Sequence, residues 1–263
     1  MSNNSYNLVA QDNVLGFSFF DQFEILRLVD LSIGGNLDLS ITNSTVFLLV
    51  AFFVLFFLFK GNNENGNIVP GRYQSILEGV YVLVYDMVKE NMGKDGARYF
   101  PFMLSLFLFL LIINFVGLIP YTFTPTSHGA ISFGLSISIF VGCAVIAFAT
   151  HGMDYFSMFF PPGVAAPIAG FLVAVEIISY FAKPVSLGLR LAANITAGHL
   201  LFTILASFIW KMLMAGGALA IGSLFPLAIT FFITVLETAV AFIQAYVFCL
   251  LTIIYLNDSF YLH

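Results

Sequence analysis

Two apolar stretches in the second half of the chain, 164–211 and 224–256, limit what it can fold into. As one α-helix the first would be about 70 Å long at ~1.5 Å per residue. That is roughly twice the ~30 Å hydrocarbon core of a bilayer. The stretch must therefore cross steeply tilted or be broken. Pro184 is the obvious kink site, because it removes a backbone donor in mid-helix. The Gly-rich turn AGGALAIG joins the two stretches. Three further apolar runs precede them: 44–59, just short of a full span without its polar flanks, 102–119, closed by Pro120, and 130–150. The last is rich in Gly, Ser and Ala, which favours close packing on neighbouring helices. With 60% hydrophobic and 9% charged residues, the chain reads as an all-α integral membrane protein of about five membrane helices. Its 263 residues leave no room for a separate soluble catalytic domain.

The charges set an orientation. Five of the nine basic residues, Lys60, Arg72, Lys89, Lys94 and Arg98, lie at or within 61–101. In its middle, RYQSILEGVYVLVYDMVKE spaces apolar residues as a helix does, beside Gln74, Glu78, Asp86 and Lys89. That pattern predicts an amphipathic helix on the membrane surface. The first 43 residues carry Asp12, Asp21, Glu24, Asp30 and Asp38 against Arg27 alone. The positive-inside rule then places 61–101 on the negative side and the N-terminus on the positive side. The chain divides accordingly into an N-terminal segment 1–43, a first membrane helix 44–60, the basic loop 61–101, a membrane hairpin 102–150 and a final hairpin 151–263. The first 16 residues do not read as a secretory signal. Cys143 and Cys249 fall inside apolar runs and read as buried thiols. The sequence lacks GxxxxGK[ST], HExxH and any metal-ligand cluster, so ATP binding, metalloprotease chemistry and a cofactor find no support in it.

Arg190 is the residue that calls for a function. A guanidinium stays protonated at physiological pH, and at membrane depth it costs at least ~2.5 kcal/mol. Glu176, Lys183 and Arg190 are seven apart and share a helix face, which Asn194 joins one turn later. His199, nine residues past Arg190, lies on roughly the opposite side. Glu237 and Gln244 share a face of the last helix. With the orientation above, the ionisable groups fall into two pairs at different depths, His199 with Glu237 and Glu176 with Asp258. Arg190 lies between them. Two proton-capable clusters separated by a fixed cation are what a proton path with two offset half-channels requires. Plainer readings stand beside this one. Gln244 could simply bond a neighbour, Glu176 and Lys183 could form a local cluster open to the headgroups, and Asp258 could be interfacial. A self-contained secondary transporter or antiporter built on Arg190 is the rival function; it requires helix breaks and paired repeats, and the sequence shows no repeat.

Four segments carry a family resemblance: LGLRLAANITAGHLL, NFVGLIPYTFTPTSH, FPLAITFFITVLETAVAFIQAYVF, and FDQFEI with LDLSITNS. In the order they hold along the chain, from FDQFEI to FPLAITFFITVLETAVAFIQAYVF, they resemble the a subunits of F-type ATP synthases, the stator half of the Fo proton channel, along nearly the whole chain. The resemblance implies that Arg190 faces the carboxylates of the c-ring, with Gln244 beside it and Asn194 one turn on. It makes His199 and Glu237 the inlet pair, and Glu176 and Asp258 the outlet residues on the matrix side. The order of the inlet pair, His first and acid second, looks mitochondrial, since bacterial members tend to reverse it. The implied setting is multi-pass in the mitochondrial inner membrane. The implied partners are the c-ring, other Fo and peripheral-stalk subunits and membrane lipids, with no nucleic acid. ATP would be made elsewhere in the complex. The last two helices would form a long, strongly tilted hairpin along the c-ring, which answers the length problem. Two features depart from the pattern. Arg27 stands where the family often has a proline, and 1–17 is either removed on maturation or particular to this lineage.

Overall fold

The computed structural model describes residues 24–29, 32–33, 37–38, 40–63, 71–93, 95–119, 122–153, 155 and 166–260. Residues 1–17, Asp12, Asp21, Asp30, Lys94 and Pro120, which the sequence reading used, lie outside them. Among the described residues seven α-helices follow one another: α1 (Asn43–Asn63), α2 (Arg72–Met92), α3 (Phe100–Gly117), α4 (Gly129–His151), α5 (Ala166–Ala215), α6 (Gly217–Gly222) and α7 (Leu224–Phe260). Ahead of them, two short antiparallel strand pairs nest one inside the other, Arg27–Val29 with Ile41–Thr42 and Ser32–Ile33 with Leu37–Asp38. The helices α3, α4, α5 and the stretch Leu219–Phe260 are long and apolar enough to cross a membrane, and α1 contains a shorter apolar run, Asn43–Leu58. This is an all-α integral membrane protein.

Helix α3 occupies the centre, against α1, α2 and α7, and α4 packs on α5 and α7. Met103, Phe107 and Leu110 of α3 are fully buried in one apolar cluster with Leu191 of α5 and with Ala245, Phe248 and Ile253 of α7. The outer faces are apolar as well: Phe171 on α5 and Phe231 on α7 are 72% and 74% exposed. A continuous apolar exterior of this kind suits lipid rather than water. Helix α2 turns Val84, Met87 and Val88 inward and Glu78, Asp86, Lys89 and Glu90 outward. That division is the amphipathic pattern read from its sequence.

The 50 residues of α5 span about 75 Å, and the 37 of α7 about 55 Å, at ~1.5 Å per residue. Pro184 does not break α5. Its carbonyl accepts a hydrogen bond from Ser136 of α4, and the buried serine ties α4 to the turn that the missing N–H weakens. The chain reverses after α5 through Gly216 (φ 68°) and Gly217 (φ 59°), a left-handed pair that glycine adopts at no steric cost.

Close approach of α4 to α5 depends on Gly188. An ideal Cβ there would lie 3.0 Å from Phe133 Cδ1, 3.2 Å from Phe133 Cα and 3.3 Å from the Ser132 carbonyl oxygen. Two of these neighbours are backbone and cannot swing away. Gly188→Ala is therefore expected to destabilise the α4–α5 contact by about 1–3 kcal/mol. Thermal unfolding of the detergent-solubilised protein measures this, and an unchanged midpoint would show that the contact has room for a methyl.

Candidate functional site

The i+7 spacing that puts Glu176, Lys183 and Arg190 on one face of α5 is realised along an unbroken helix, so their relative positions are set by helix geometry alone. Helix α7 runs beside it in the opposite direction, as two contacts show. At one level Lys183 Nζ lies 3.8 Å from Asp258 Oδ2 and 5.6 Å from the centre of the Tyr255 ring. Fifteen residues further along α5, Gly198 meets Glu237, twenty-one residues earlier on α7. An ideal Cβ at Gly198 would overlap Glu237 Oε1 and lie 2.9 Å from its Cδ. The carboxyl group occupies the space that a side chain at 198 would fill. Neighbouring Cα atoms are ~3.8 Å apart, so the carboxyl group is within about 8 Å of the His199 Cα.

A loop and a third helix complete this level. The His199 Nε2 is 3.1 Å from Thr124 Oγ1. Thr124 Oγ1 also donates to the Gly117 oxygen at 3.4 Å. Thr196 holds the loop to α5 by donating to the Ser127 carbonyl at 3.3 Å. One turn before Gly117, Asn114 Nδ2 donates to the Ala241 carbonyl at 3.2 Å, and Ala241 lies one turn past Glu237. The contacts thus close a ring through α3, the 122–128 loop, α5 and α7. Around it, Asn114 Oδ1, Thr126 Oγ1, His128 Nε2 and Glu237 Oε1 are buried without a partner among the described residues, as are Gln244 Nε2 and Asn257 Oδ1 further along α7. Buried polar atoms are paired in the great majority of cases, by water where protein does not serve. Four such atoms around one ring mark a part of the bundle suited to water.

The remaining residues are disposed differently. Arg190 is exposed and makes no ion pair among the described residues. Tyr255 lies within electrostatic reach of its charge. Gln244 is 5% exposed, and no hydrogen bond joins it to Arg190 among the described residues. Its neighbour Ala245 and Arg190's neighbour Leu191 are both fully buried in the central apolar cluster. Asn194 is half-buried. Glu176 is half-buried too and has no ion pair or hydrogen bond among the described residues.

The sequence reading placed His199 with Glu237, and the structure brings them to one level. It also placed Glu176 with Asp258; Asp258 instead meets Lys183, the basic residue one step along the same face. Opposite charges attract where two carboxylates repel, and a wheel that lists residues of one sign overlooks that. Thr124 and Asn114 were not singled out. Asn114 had a visible signal, a lone amide inside the apolar run 102–119. Thr124 had none, since its role depends on where the loop docks. Among the described residues no group of three or more His, Cys, Asp or Glu could hold a metal.

Residues 44–257 match the sequence profile of the family described as ATP synthase A chain. ATP synthase subunit a of Chondrus crispus is 46% identical over 243 residues, 92% of this chain and 96% of that protein. The subunit of Brassica napus is 46% identical over 263 residues, 97% and 98% of the two chains. That of Rhodospirillum rubrum is 41% identical over 243 residues, 92% and 98%. The family match runs from α1 nearly to the end of α7, and the relatives align over almost their whole length. The chain belongs to the family of ATP synthase a subunits, membrane components of the Fo sector rather than of the catalytic F1 part.

Proposed function

We propose that this chain is the stator half of a proton channel with two offset half-channels, which delivers protons to and from the c-ring carboxylates and so drives rotation. One observation carries the reading. Lys183 finds its counter-charge inside the chain, whereas Arg190, one heptad along the same face, is exposed with no ion pair among the described residues. A guanidinium so placed in a membrane helix needs an anion from outside. A c-ring carboxylate must be neutral while it faces lipid, because an unpaired anion there is expensive. It ionises only opposite a fixed positive charge or beside water, and Arg190 supplies the charge.

Protons enter from the positive side past His199 and Glu237, where the unpartnered polar atoms support a hydrated inlet. They neutralise a carboxylate, ride the ring through almost a full turn and leave on the matrix side past Glu176 and Asp258. Gln244 and Asn194 flank Arg190, which repels any proton taking the direct route. Each charge carried down the potential yields ~2.3 kcal/mol per 100 mV. The length of α5 supports a strongly tilted α5–α7 hairpin along the c-ring, since about 75 Å of helix does not fit upright in ~30 Å of hydrocarbon. The setting is the mitochondrial inner membrane, with 1–43 on the positive side and 61–101 in the matrix. Further partners are other Fo and peripheral-stalk subunits and lipids.

Arg190→Ala is expected to lower coupled ATP synthesis by about two orders of magnitude or more and to leave a passive proton leak. Arg190→Lys is expected to fail as well, because a compact ammonium lacks the planar fork. Synthesis rates in reconstituted vesicles measure both, and robust synthesis in either variant sinks the reading.

Two further variants test the inlet. Glu237→Gln keeps the volume and removes the proton relay, so flux is expected to fall about a hundredfold at normal assembly. Gly198→Ala puts a methyl where the Glu237 carboxyl sits. The group it meets is the end of a flexible side chain, so the helices should stay and the carboxyl should move. Assembly is expected to hold while proton flux falls toward that of Glu237→Gln. Wild-type flux in both variants would make Glu237 a structural residue.

A further inference from the structure

The contact between Lys183 and Asp258 divides the outlet carboxylates into two kinds. Its atoms are 3.8 Å apart, with the side chains 36% and 28% exposed. Tyr255 lies under the ammonium. The hydroxyls of Tyr155 and Tyr180 are hydrogen-bonded at 2.6 Å, and these five side chains line one small cavity. Glu176, seven residues before Lys183, has no partner among the described residues. Building on the outlet assignment above, we propose that Lys183 is a positioning residue: it holds Asp258 as a permanent counter-ion, and Glu176 alone carries the proton out.

The argument is one of charge balance along a single helix face. Lys183 stands seven residues from Glu176 on one side and seven from Arg190 on the other, about 10 Å by helix rise each way. An uncompensated ammonium at that distance, with an effective dielectric constant of about 20, shifts a proton equilibrium about tenfold. It would strip protons from Glu176 and add a second cation to the field of Arg190. Asp258 cancels it. The pair is then neutral, Arg190 remains the dominant positive charge at this depth, and Glu176 keeps enough proton affinity to accept a proton and pass it on. A carboxylate held against an ammonium in a lined cavity is a poor relay, since each protonation would break the pair. Asp258 therefore contributes a fixed charge and Glu176 the moving proton.

The test uses intact ATP synthase in membrane vesicles, with ATP-driven proton pumping and the level of assembled complex measured together. Asp258→Asn is expected to assemble normally and to pump about tenfold more slowly, and Lys183→Gln to slow pumping through the opposite imbalance. The double variant K183Q/D258N removes both charges, and is expected to recover several-fold of the pumping that Asp258→Asn alone loses. If the double variant is as slow as Asp258→Asn, Asp258 itself moves protons and the proposal is overturned. If Asp258→Asn pumps normally, or fails only in proportion to lost assembly, the pair is idle or merely structural, and either result also overturns it. Glu176→Gln in the same vesicles reports separately on the outlet: normal pumping there would withdraw Glu176 from the path whatever the Lys183 variants do.

Discussion

Much of this structure follows from one electrostatic constraint, a guanidinium in an apolar membrane helix that finds no anion among the described residues of its own chain. Such a charge costs at least ~2.5 kcal/mol and cannot escape by deprotonation. The rest of the chain must keep Arg190 exposed at one place on one helix, and must not supply a carboxylate that would collapse onto it. The arrangement meets both demands. The carboxylate nearest along the chain, Glu176, is two heptads back on the same face, about 20 Å by helix rise. Asp258 is held by Lys183, and the Glu237 carboxyl lies against Gly198, eight residues past Arg190 and well round the helix. Among the described residues the acids surround the arginine at a distance and none pairs with it.

The two ends of the site use different chemistry for related tasks. Near His199 the contacts are hydrogen bonds among a hydroxyl, an imidazole, backbone carbonyls and an amide, and several buried polar atoms have no partner among the described residues. Near Lys183 the contacts are between full charges and tyrosines around a cavity of small volume. Unused capacity in a buried place favours water and mobile protons. A matched ion pair favours a fixed field. The asymmetry suits a path that gathers protons at one end and must release them against a nearby cation at the other.

How much of this was legible in sequence depended on whether one helix or two were needed. Apolar runs alone located α3, α4 and α7 to within a few residues: 102–119 became Phe100–Gly117, 130–150 became Gly129–His151, and 224–256 became Leu224–Phe260. Helical spacing put Glu176, Lys183 and Arg190 on one face, and turned His199 away from them. The fate of Pro184 was not legible, because the serine that ties its turn to α4 lies 48 residues earlier. Nor was the choice of Lys183 over Glu176 as partner of Asp258. A wheel gives the face of one helix and says nothing of the register of its neighbour. The N-terminal strand pairs were missed for another reason, being only two or three residues long, too short for alternation to register.

An unpaired cation cannot position itself, so its backbone must do so, and two glycines on either side of Arg190 explain how. Gly188 lets the backbone of α4 lie against α5, with Phe133 and Ser132 in the space a side chain would take. Gly198 lets Glu237 of α7 press in from another direction, since ten residues of helix turn the face by about 80°. Helix α5 is thus gripped on two sides within three turns, and Leu187 and Leu191, which flank Arg190, are buried in the central cluster. The Ser136 bond to Pro184 adds a third anchor below. These contacts fix both the height and the rotation of the turn carrying Arg190 without touching its side chain. The guanidinium is left exposed and its base is held, the combination that the proposed role needs, in which one charge meets a succession of moving partners at the same point.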